Sequence, residues 1–273
     1  MLNRGFILRG QFLFHTFNFA GLTLKPLLKN SIRNGISGEI KSNASNISVS
    51  LKAYHQGNLA FQEDEFCEIT SGSYFEISDK NCSILRDTEN DYTLIAHCRR
   101  GDGEQYFPQE HQVTYQSKEN SRQTSLLYDQ LPSLGLSPKP IVLLAPKVWV
   151  SKDINTIISF TNGDDGEKFS IETQWKIDFI LQNGEIIHTM KIYLKTKNSY
   201  FLDVKSILIG LLNLTERLQM ITVVARGESS ACVILTFLQN TKTGALALEH
   251  SLSPHYYMNG DFSRVRREAF LFP

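Results

Sequence analysis

Phe169–Leu194 reads FSIETQWKIDFILQNGEIIHTMKIYL. Phe169, Ile171, Thr173, Trp175, Ile177, Phe179 and Leu181 alternate with Ser170, Glu172, Gln174, Lys176 and Asp178. So long a run with period two belongs to a half-buried antiparallel strand, because successive side chains of a strand leave opposite faces. Gln182-Asn183-Gly184-Glu185 follows, and Asn-Gly tolerates the positive φ angles of a type I′ hairpin turn. Ile186, His188, Met190, Ile192 and Leu194 then return on one face. The stretch predicts a β-hairpin with one apolar face.

The same period extends in both directions. Ile47, Val49, Leu51 and Ala53 alternate with Ser48, Ser50 and Lys52, and His55-Gln56-Gly57-Asn58 reads as a turn into Leu59 and Phe61. Ser73–Ile77 and Tyr92–Cys98 are further strands, and Arg99–Gly103 is a turn. Downstream, Met220–Ala225, Ala231–Leu238 and Gly244–Glu249 read as strands, and Lys205–Leu214 as a short helix weakened by Gly210. Residues 128–147 hold four of the eight prolines and read as a connector, with Ile141–Leu144 a short strand inside or just after it. Many short strands with turn signals predict an all-β fold. The expected architecture is two tandem antiparallel β-sandwich lobes with at most one or two short helices. Residues 1–38 form a basic N-terminal segment, 39–134 the first lobe and 135–273 the second.

An internal duplication is expected from three landmarks. His55-Gln56-Gly57 matches Gln182-Asn183-Gly184, Ser73-Tyr74-Phe75 matches Ser199-Tyr200-Phe201, and Glu110-His111 matches Glu249-His250. The offsets are 127, 126 and 139, which places an insertion of 13 residues near Ile207–Leu214.

Composition excludes several classes. The 273 residues are 41% hydrophobic and 21% charged, ordinary for a soluble globular chain. Lys plus Arg equals Asp plus Glu, at 28 each, so no overall field attracts nucleic acid. Cys67, Cys82, Cys98 and Cys232 form no CxxC pair, which argues against a zinc ribbon and for reduced thiols in the cytoplasm. Residues 1–38 lack any acidic residue but are interrupted by Arg9, Gln11, His15 and Asn18. They are too polar for a spanning helix of about 20 apolar residues. They read as edge strands or an interfacial anchor, and membrane contact is expected only through residues 1–35. GxGxxG after a strand, GxxxxGK[ST] and GxSxG are all missing.

The residues that could carry chemistry gather at two strand ends. Glu110-His111 follows Tyr106-Phe107-Pro108, and Glu249-His250 ends the strand of ALALEHSLSPHYY (245–257). His255 and Tyr256 stand just beyond. Neutral imidazole binds first-row divalent metals, so His111, His250 and His255 are candidate ligands. Adjacent strand residues face apart, however, so only one of each Glu-His pair can enter a shared site without a bulge. The expected function is non-catalytic binding of a protein, a small molecule or a carbohydrate. The binding surface would comprise Glu110, His111, Glu249, His250, His255 and Tyr256, with homo-oligomers forming through exposed sheet edges. The alternative is a metal-dependent or histidine-based enzyme at the junction of the lobes.

Overall fold

The computed structural model describes residues 11–15, 17–19, 22–31, 47–69, 74–87, 89–100, 111–117, 123–128, 141–162, 172–227 and 232–250. The protein is all-β. Its chain divides into two compact units, Met1–Pro132 and Ser133–Pro273.

The first unit contains β1 (Gln11–His15), β2 (Phe17–Phe19), β3 (Leu22–Ser31), β4 (Ile47–His55), β5 (Asn58–Ile69), β6 (Tyr74–Ile77), β7 (Thr93–Arg100), β8 (His111–Ser117) and β9 (Gln123–Tyr128). A single 3₁₀ turn, Ser83–Arg86, lies between β6 and β7. One sheet runs β1-β7-β4-β5 and the other β2-β3-β8-β9, with β6 also on β3. The second unit contains β10 (Ile141–Val150), β11 (Ile154–Asn162), β12 (Thr173–Ile180), β13 (Ile186–Leu194), β14 (Asn198–Asp203), α1 (Val204–Leu208), β15 (Gln219–Gly227), β16 (Cys232–Asn240) and β17 (Leu246–His250). Its sheets run β10-β15-β12-β13 and β14-β11-β16-β17. All pairings between these strands are antiparallel.

Strand order is the same in both units when β2 is counted as a short extension hairpinned to β3. First, sixth, third and fourth strands make one sheet; fifth, second, seventh and eighth make the other. The 55–57 and 182–184 turns both join the third strand to the fourth, and Tyr74-Phe75 and Tyr200-Phe201 both lie in the fifth. The third landmark departs from this pattern. His111 opens the seventh strand of its unit, whereas Glu249-His250 ends the eighth. The fifth-to-sixth connections, residues 78–92 and 204–218, are equally long, so no insertion sits at Ile207–Leu214. The helix there is only one turn, because Gly210 at φ +86 follows it in the left-handed region.

Among the described residues, Pro26 and Pro146 lie inside strands, each where a missing N–H costs little. Pro146 was expected in a connector but lies in β10, an edge strand, at the register shift between Ala145 and Val148. Pro26 lies in β3, facing Tyr115 of β8. On the other side of β3 the pairing breaks between Leu24, which meets β2, and Leu28, which meets β6. β1, β2 and β3 all pair within the first unit, so much of the basic N-terminal segment is sheet. The hairpin turns also differ from expectation. At 181–184 only Gly184 has positive φ, and its N–H donates to the Leu181 carbonyl at 2.9 Å. The two-residue turn with positive φ at both positions occurs instead at Gln56 (φ 51) and Gly57 (φ 82).

The second unit's core lies between its two sheets. Trp175, Ile177 and Phe179 of β12 pack with Ile192 and Leu194 of β13, Val223 and Ala225 of β15, Phe160 of β11 and Ile234 of β16. β11 is buried on both faces. Ile158 and Phe160 join the core, while Ser159 and Thr161 on the other side share a hydroxyl contact of 3.1 Å, and Thr161 reaches Ser199 at 2.9 Å.

Gly227 lies opposite Trp175, and a Cβ there would fall 2.3 Å from the indole. Gly227→Ala is expected to cost about 1–3 kcal/mol in urea unfolding by overpacking. Gly184→Ala, at φ +87 with open space around it, should cost about 1–2 kcal/mol through backbone strain alone. Equal stability of the Gly227 variant and the parent would contradict the packing.

Candidate functional site

The expected strand-end residues belong to separate units. His111 is the first residue of β8, opposite Tyr128 of β9. Glu249 lies on β17 opposite Thr236 of β16, whose hydroxyl donates to the Glu249 carbonyl at 3.4 Å. His250 ends β17 opposite Leu235. Glu110, His255 and Tyr256 lie outside the described residues, as do the side chains of His111 and His250. Among the described residues no group of three His, Cys, Asp or Glu could hold a metal ion. No helix among them is long and apolar enough to cross a membrane.

The side chains brought together most closely lie on the outer face of the β10-β15-β12-β13 sheet. Trp175, Ile177 and Phe179 point into the core, so the alternation puts Gln174, Lys176 and Asp178 outside. Asp178 is only 1% exposed and pairs with Arg226 of β15. It also accepts the Thr189 hydroxyl of β13 at 2.7 Å, and Lys176 stands 3.7 Å away. Burying a carboxylate is costly unless it is paired and hydrogen-bonded, and these three neighbours supply that. Lys176 lies opposite Lys191 on one side and Arg226 on the other. Gln174 lies opposite Tyr193, which is 60% exposed. Sequence alternation showed which residues share a strand face. It could not show that β15, remote in the chain, supplies Arg226 to the same row.

The first unit holds a polar clasp in residues 78–92. Asp87 accepts the backbone N–H of Glu89 at 2.8 Å, the Asn90 amide at 2.9 Å and the Tyr92 hydroxyl at 2.5 Å. These hydrogen bonds, led by Asn90, lower the Asp87 carboxyl to about 2. Burial, with the neighbouring Asp87, raises the Tyr92 phenol to about 12. His55 donates Nδ1–H to the Asp91 carbonyl at 2.9 Å, and its ring lies 5.8 Å from that of Tyr92. This carboxylate, phenol and imidazole fasten the loop to the β4–β5 turn. Burial also raises the thiols of Cys67, to about 11, and of Cys82 and Cys232. They stay protonated at neutral pH, unlike a nucleophilic cysteine.

The equivalent connection in the second unit is apolar. Ile209, Leu211 and Leu218 are exposed at 70%, 51% and 46%. The base beneath them is firmly built. Asp203 caps α1 by accepting Ser206 N–H at 3.1 Å and the Asn155 amide at 2.9 Å, and Lys152 N–H donates to the Thr215 carbonyl at 2.8 Å.

No protein-family model matches the chain, and no curated protein does. Among solved structures, a Bacteroides uniformis β-glucuronidase aligns at TM-score 0.19 and 12% identity, over 90% of this chain and 26% of that one. A putative β-galactosidase from Bacteroides fragilis aligns at 0.17 and 11%, over 89% and 32%. The structure of infectious bursal disease virus Gx strain aligns at 0.16 and 11%, over 92% and 72%. The chain thus spans about a quarter of the B. uniformis enzyme it matches, and likeness at these scores carries no weight for fold or function.

Two outcomes check these contacts. Asp178→Ala leaves Arg226 without its carboxylate and should cost about 3–5 kcal/mol in urea unfolding, and adding Arg226→Met should recover most of it. Asp87 has a lowered folded pKa, so its contribution is complete above its ordinary 3.8 and is lost as pH falls toward about 2. Near-ultraviolet circular dichroism should show a Tyr92-dependent step in that window, and Asp87→Asn should abolish it.

Proposed function

We propose that this is a non-catalytic β-sandwich protein that binds a ligand or a partner. The observation that carries the reading is the outer face of β12 and β13. There Tyr193, Lys176 and Lys191 are exposed on a sheet whose opposite face is fully packed. A rigid sheet presents such side chains at little entropic cost, which favours recognition. The described groups best suited to chemistry are engaged otherwise. Asp87 and Tyr92 fasten a loop, Asp178 balances Arg226, and Asp203 caps a helix. The apolar tip at Ile209 and Leu211 offers a further partner surface.

The strand-end set Glu110, His111, Glu249, His250, His255 and Tyr256 belongs to this proposal as a further binding surface. A cytoplasmic setting is supported by the free thiols of Cys67, Cys82 and Cys232. Equal strand order in the two units supports an internal duplication.

Elemental analysis of untagged protein purified without chelator tests this reading against the metal-dependent alternative. The expected result is no stoichiometric first-row metal. About one metal per chain, lost in His250→Ala, would overturn the reading and make the histidines a metal site. Partner binding unchanged when His111, His250 and His255 are substituted together would remove the strand-end surface from the proposal.

A further inference from the structure

The register of three strands places like charges side by side. Lys191 of β13 lies opposite Lys176 of β12, and Lys176 lies opposite Arg226 of β15. The three stand in one row on one face, about 4.8 Å apart from strand to strand. Like charges directly opposite one another destabilise a sheet. The Asp178 carboxylate lies a row further along. It is buried and already holds Arg226 and the Thr189 hydroxyl. Lys176 reaches it at 3.7 Å while remaining 52% exposed. Lys191 is exposed and, among the described residues, has no ion-pair partner. On the other side of the row Gln174 faces Tyr193. Glu172 and Lys195, just past the ends of the two strands, add one charge of each sign. The exposed track is therefore an amide, a phenol ring and two ammonium groups, with a net positive charge.

We propose that this face binds an acidic polysaccharide. Lys176 and Lys191 would take carboxylate or sulfate groups, Gln174 would hydrogen-bond hydroxyls, and Tyr193 would stack on a sugar ring. The inference rests on the binding reading above and names its ligand class. An anion supplied from outside relieves the repulsion between the lysines, so the site is stabilised by its ligand. The exposed part of this face, on β12 and β13, suits a chain that lies along it and offers an apolar sugar face to an aromatic ring. A single exposed ring does not make the series of stacking platforms that single-stranded nucleic acid uses, which favours a sugar chain over nucleic acid here.

The test is titration calorimetry of the full-length protein with polygalacturonate and with dextran sulfate, using dextran, polyglutamate and a single-stranded oligonucleotide as contrasts. Binding of at least one acidic polysaccharide is expected. It should weaken as salt rises and fall at least tenfold in Lys176→Gln/Lys191→Gln and in Tyr193→Ala, with unchanged circular dichroism. Without ligand, Lys191→Gln should raise Tm by about 1–3 °C, because it removes a repulsion. Failure of both acidic polysaccharides to bind overturns the inference. If dextran, polyglutamate or the oligonucleotide binds instead and Tyr193→Ala weakens it, the binding reading stands and only the ligand class falls. If nothing binds and Lys191→Gln lowers Tm, the row is structural, and the binding reading loses this face as well.

Discussion

The second unit depends on one close approach, the Trp175 indole over the backbone of Gly227. The ring is fully buried, and its Nε1–H donates to the Thr173 hydroxyl at 3.0 Å. Any side chain at 227 would occupy the space of the ring. A buried tryptophan brings a large apolar area and one donor that needs a partner, and this geometry meets both demands. It also sets the phase of β12. With Trp175 inside, Ile177 and Phe179 must be inside too, and Gln174, Lys176 and Asp178 must face outward, because a slip of one residue would exchange the faces.

The polar face therefore follows from core packing, yet its charges are not arranged as packing alone would favour. Asp178 is nearly as buried as a core residue. A buried ion pair seldom stabilises a protein relative to an apolar replacement of similar shape, since the desolvation penalty offsets the attraction. Elsewhere the same chemistry has an evident structural use. Asp203 and Asn155 close the start of α1, and Asp87 gathers a loop that would otherwise leave N–H groups unmet. Lys191, opposite Lys176, has no such pairing among the described residues, which sets this face apart from the others described.

Much of the fold was legible in the sequence, because side-chain alternation is a local property. The strand through Trp175, the hairpin around Asn183-Gly184 and the short strand at Tyr74 follow from period two and turn chemistry. What was not legible depends on pairing between distant segments. Pro146 read as a linker because its tolerance comes from an edge position and a bulge, which are properties of the sheet. The Glu-His repeat looked structural because two dipeptides agree, but His111 opens the seventh strand of its unit while Glu249-His250 ends the eighth. The cationic row was invisible for the same reason, since Lys176 and Arg226 meet only through the β12–β15 ladder.

The fifth-to-sixth connections show where the units diverge. Residues 78–92 and 204–218 are equal in length and join equivalent strands, yet their chemistry is opposite. The first uses Asp87, Asn90 and Tyr92 to bond inward. The second caps a helical turn and then leaves Ile209 and Leu211 in solvent. Strand order and alternation constrain the core tightly and the connections hardly at all, so loops and outer faces are free to acquire separate tasks. A loop whose Asp87, Asn90 and Tyr92 bond to one another presents only scattered polar side chains to a partner. One that exposes large apolar side chains on a fixed base carries a cost in isolation that only contact can remove. By that asymmetry, the outer sheet face and the apolar tip of the second unit are the described surfaces that best fit the recognition proposed above.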